Sequence, residues 1–116
     1  MIPKDSTVNL DLSPETVAGL LVATRIYTLY GLNGVITSAR DGEHGPNSLH
    51  AYGRAFDLRL PSRCLGYPWR GAAETIDHAI YGALKAALGP DWDVILETHQ
   101  ESPYSWHIHC EHQPED

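Results

Sequence analysis

At 116 residues and 42% apolar content, the chain has the size of one compact domain, with material for one core but not for two. Eight Lys and Arg against fifteen Asp and Glu leave a formal net charge of −7, the wrong sign for neutralising phosphates, so neither nucleic acid nor an anionic membrane is an expected partner. No run approaches the ~20 apolar residues that span a bilayer, and the opening MIPKDSTVNLDLSP lacks the apolar stretch of a secretion signal, so the expected site of synthesis is the cytoplasm, with later release left open.

The first element opens at SPETVAGLLVATRIYTLYG. Ser13 suits an N-cap, Pro14 the first helical position and Glu15 the positive end of the helix dipole, while Val17, Leu20, Leu21, Thr24 and Tyr27 form the expected buried face. Gly31 or Gly34 ends this helix. Val35, Ile36 and Thr37 favour a strand, followed by a loop of Asp, Gly, Glu, His, Gly, Pro and Asn. AFDLRLP reads as a second short strand ending at Pro61, and residues 62–70 as a second loop. GAAETIDHAIYGALKAALGP spaces Ile76, Ile80, Leu84 and Leu88 four apart and stops at Gly89-Pro90, which predicts the second helix. WDVILET and WHIHCEH are two strand-like runs separated by a polar segment, the pattern of a hairpin with a long loop. Strands grouped in this way predict an α+β domain, a small and mostly antiparallel sheet with helices packed on one side.

Of seven histidines, His99, His107, His109 and His112 fall within the last eighteen residues, interspersed with Ile, Cys and Trp rather than contiguous as in a tag. Such clustering suggests a metal. The period of two along WHIHCEH sends His107 and His109 to one face and Ile108 and Cys110 to the other. Asp57, set among Ala55, Phe56, Leu58 and Leu60, is costly to bury unless something cationic meets it, and Gly53 lets the chain between His50 and Asp57 turn tightly. A catalytic zinc takes three protein ligands and leaves one position to water. Its general base would be Glu97 at the end of WDVILE, with Glu101 as a competitor, and Arg40 is a candidate for holding a carboxylate or an oxyanion. Cys64 and Cys110 lack metal-site spacing and are too few for a disulfide framework, and a single bridge between them stays open.

SLHAYGRAFD fits the pattern S-x-H-x-x-G-x-A-x-D and, with the downstream WHIHCE, resembles the zinc D-Ala-D-Ala carboxypeptidases and phage L-Ala-D-Glu endopeptidases, which share their fold with the hedgehog signalling domain. The resemblance covers roughly residues 34–112. It implies one zinc ion held by His50, Asp57 and His109, with His107 lining the site and stabilising the transition state and Glu97 as the catalytic acid or base. Arg40, His44 and Ser48 become the candidate substrate contacts. The sequence departs from the family where an acid commonly stands three residues before the last-strand histidine, for Tyr104 and Trp106 occupy that neighbourhood and twelve residues separate Glu97 from His109. The implied function is hydrolysis of a peptide bond in peptidoglycan stem peptides by a monomer, as in an endolysin made in the cytoplasm and released to the wall. Two alternatives remain open: a non-catalytic, zinc-stabilised binding module of the hedgehog type, and a closed structural site that recruits Cys110 or His112.

Overall fold

A computed structural model of the chain describes residues 12–38, 53–64, 74–97 and 107–113. Their elements in chain order are α1 (Pro14–Leu29), β1 (Ile36–Ser38), β2 (Ala55–Arg59), α2 (Pro61–Cys64), α3 (Glu74–Leu88), β3 (Trp92–Glu97) and β4 (His107–His112). The four strands form one antiparallel sheet in the order β1-β2-β4-β3. This is an α+β fold in which β2 and β4, the strands that carry Asp57 and the histidines, are the central pair.

Helix α1 begins and ends on local chemistry. The Ser13 side chain accepts a hydrogen bond from the Thr16 amide at 3.2 Å, and Pro14 occupies the first turn, where no amide hydrogen is needed. At the other end Gly31 takes a φ of +78°, and the amides of Gly31 and Leu32 return to the carbonyls of Thr28 and Tyr27. This paired closure is the Schellman arrangement, which glycine adopts without a Cβ penalty. Of the two candidate stops, Gly31 is the one used.

The buried side of α1 differs from the expected one. Thr16, Gly19, Leu20, Ala23 and Tyr27 are buried, whereas Val17 and Leu21 lie in solvent. Apolar residues surround this helix on most sides, so spacing alone does not select a face. Trp92 does, because its ring lies where a Cβ on Gly19 would stand, 2.2 Å from the nearest ring carbon.

The second correction concerns residues 61–64, which form the short helix α2: Pro61 opens this helix rather than ending the strand, and 62–64 are helix rather than loop. Pro61 presets the backbone dihedral at its start. The Ser62 amide and hydroxyl then donate to the two oxygens of the buried Asp77 carboxylate at 2.8 and 3.0 Å. That cap comes from α3, fifteen residues further along the chain.

Helix α3 follows its predicted spacing: Ile80 and Leu84 are buried, Ile76 and Leu88 pack beside them, and Gly89 at φ +84° ends the helix. With Leu20, Ala23 and Tyr27 of α1 they meet Phe56, Leu58, Val94, Ile108 and Cys110 from alternate positions of the sheet. The Tyr27 hydroxyl donates to the Arg59 carbonyl at 2.7 Å, fastening α1 to the end of β2. No helix among the described residues is long and apolar enough to cross a membrane.

Candidate metal centre

Sheet register determines which side chains share the face turned from the helices. Asp57 pairs with His109, Arg59 with His107, Ile95 with His109 and Glu97 with His107. Directly opposed residues in an antiparallel pair project to the same side, with Cβ atoms about 5 Å apart. Asp57, His107, His109 and Glu97 therefore rise from one face, while Phe56, Ile108 and Cys110 between them enter the core.

Three of these side chains converge. Asp57 Oδ1 lies 2.8 Å from His109 Nδ1, and Asp57 Oδ2 lies 3.6 Å from His107 Nε2. One donor atom from each of Asp57, His107 and His109 lies within 4.8 Å of the other two. Asp57 is only 8% exposed, so its charge has little access to water and is met by imidazole instead.

His109 is gripped from both ends. Its Nε2 lies 2.6 Å from Glu111 Oε1, and Gln113 donates to the other Glu111 oxygen. Burial by itself lowers the pKa of His109, but the hydrogen bond and charge of Asp57 and then those of Glu111 override it and raise the pKa to about 9. Without a metal, His109 is accordingly an imidazolium at neutral pH, donating to two carboxylates.

The donor set suits a divalent metal ion. A carboxylate oxygen and two imidazole nitrogens are donors that zinc accepts, and tetrahedral ligands at about 2.1 Å from such an ion stand about 3.4 Å apart. Cys110 belongs to the opposite face, buried and unbridged; burial, with the Asp57 charge nearby, pushes its thiol well above the ordinary range. His112 also leaves the site, its ring lying against Trp92 with centroids 5.2 Å apart. Neither residue of the closed-site alternative reaches the group.

His107 joins the donor group itself, where the resemblance gave it a lining role. Asp57 and His109 belong to both ligand sets. Glu97 is the direct cross-strand partner of His107, as the hairpin pattern predicted. Arg40, His44, Ser48, His50 and Glu101 lie outside the described residues. Glu111 and Gln113 had no assigned role in the sequence reading, although the same period of two that links His107 to His109 extends to Glu111. Comparison with models of known families, with curated proteins and with solved structures finds no match to this chain.

Proposed function

We propose that the chain is a zinc-dependent peptidase of the hedgehog and D-Ala-D-Ala carboxypeptidase fold, hydrolysing a peptide bond in peptidoglycan stem peptides. The observation that carries the reading is the Asp57, His107 and His109 group on the polar face of the sheet, with Glu97 as the cross-strand neighbour of His107. An ion held there supplies Lewis acidity toward the scissile carbonyl and a lowered pKa for the attacking water. Glu97 takes the proton of that water and delivers it to the leaving amine. To this reading the resemblance adds His50 as a ligand, Arg40 for the developing oxyanion, and His44 and Ser48 as substrate contacts, four residues that lie outside the described ones.

Asp57 and His109 are common to both ligand sets, so His50→Ala and His107→Ala tell them apart: the one that releases the metal is a ligand. Function is tested on purified peptidoglycan and on defined stem peptides, with and without a chelator. New amino groups that appear with zinc and vanish with chelator support the peptidase, and the terminus formed identifies a D-Ala-D-Ala or an L-Ala-D-Glu bond. A zinc-loaded chain that binds peptidoglycan and releases nothing is the binding module instead.

A further inference from the structure

Glu111 has no part in the chemistry above, yet it holds a residue that does. Strand alternation sets it on the face of His107 and His109, one step beyond His109 along β4. The two ring nitrogens of an imidazole diverge, so the Glu111 carboxylate on Nε2 stands on the far side of the ring from Asp57 on Nδ1. Glu111 is in turn held by the Gln113 amide, which donates to its second oxygen.

A neutral imidazole has one protonated nitrogen and one lone pair, and the partner of the first determines which is which. An ionised carboxylate only accepts. In the metal reading Asp57 turns its oxygens to the ion, so Nε2 keeps its hydrogen against Glu111 and the Nδ1 lone pair is directed at the space shared with Asp57 and His107. We propose that Glu111 is a positioning residue of the metal centre, which takes the Nε2 hydrogen of His109, holds its ring in place and makes Nδ1 the ligand atom. The inference rests on the metal reading above and adds the outer carboxylate that fixes one ligand. Carboxylates in this role raise ligand basicity and stop the ring turning away, and their loss costs about 10- to 100-fold in metal affinity.

The test measures zinc affinity of the full chain by competition with a chromophoric chelator, together with long-range proton–nitrogen correlations of histidine-labelled, zinc-loaded protein. Glu111→Ala should weaken zinc binding about 10- to 100-fold, and Glu111→Gln, which keeps an acceptor oxygen without the charge, should recover part of the loss. In the unsubstituted chain His109 should be protonated at Nε2 and metallated through Nδ1. An affinity within twofold in both variants, or metallation of His109 through Nε2, overturns the proposal. If Glu111→Ala does not fold, the nitrogen assignment and Glu111→Gln decide. A native chain that binds no zinc removes the metal reading and this inference together, whereas a zinc-binding chain indifferent to Glu111 removes only the latter.

Discussion

His109 and Asp57 face one another across the two central strands, Nδ1 to Oδ1 at 2.8 Å, in direct register. The pair is the centre of the site because each residue has a second partner: His107 for Asp57 and Glu111 for His109. Four side chains, His107, Asp57, His109 and Glu111, thus form one line along a mostly buried surface. Removal of its proton-bearing member has consequences that depend on pH.

In metal-free protein the folded pKa of His109 is about 9 against an ordinary 6.5. Because the folded value is the higher one, this histidine contributes stability that is complete below pH 6.5 and disappears as pH rises through about 9. The ceiling is about 3 kcal/mol. Urea unfolding in chelator at pH 6 and pH 9.5 should reveal that loss, and His109→Asn should abolish most of it. Zinc reverses the sign, since a ligand nitrogen must be unprotonated: affinity should climb toward pH 9, and binding at pH 7 should release about one proton, visible as a buffer-dependent heat in calorimetry. Heat independent of the buffer would contradict the assignment.

Glu97→Gln should retain zinc and lose at least about 100-fold in hydrolysis, the lower range of what a general base contributes. Metal content and turnover measured on one preparation separate the two effects. Turnover that survives in Glu97→Gln transfers the base to Glu101.

Gly19→Ala tests packing against propensity. Alanine favours helix by about 1 kcal/mol over glycine, but its Cβ would fall 2.2 Å from Trp92, which also packs on Phe56 and His112. The substitution should lower the melting temperature, with overpacking costing about 1 to 3 kcal/mol. A rise would show that the Trp92 ring yields freely.

Tyr27→Phe removes the hydroxyl that donates to the partly buried Arg59 carbonyl. The carbonyl loses that donor, so stability should drop by about 0.5 to 1.5 kcal/mol in denaturant unfolding. No change would mean that the α1 to β2 fastening contributes nothing net.

The parts of this fold legible in sequence were those set by local periodicity and caps. Ser13-Pro14-Glu15, Gly31 and Gly89 mark helix ends through backbone chemistry that needs no distant partner. Alternation along HIHCEH is a property of any strand, and it put His107 and His109 on one side and Cys110 on the other. What escaped depends on contacts between distant segments. The α1 face is selected by Trp92, and α2 is capped by Asp77 from another helix. The strand order, which sets β4 between β2 and β3, is likewise a tertiary outcome. It is also what brings Asp57 to His109, fifty-two residues away. Glu111 lies on the same alternation, two residues beyond His109, but its hydrogen bond to the ring is a contact that periodicity alone does not assign.

Asp57 and His109, the two residues common to both ligand sets, carry the proposal of one bound divalent ion. Zinc stoichiometry after dialysis against buffered zinc, measured for the native chain and for Asp57→Ala, tests it most directly. The account predicts one ion per native chain, with affinity lowered by more than about 100-fold in the variant, beyond what loss of an outer carboxylate costs. A native chain that retains no zinc, or an Asp57→Ala chain that retains as much, would contradict it.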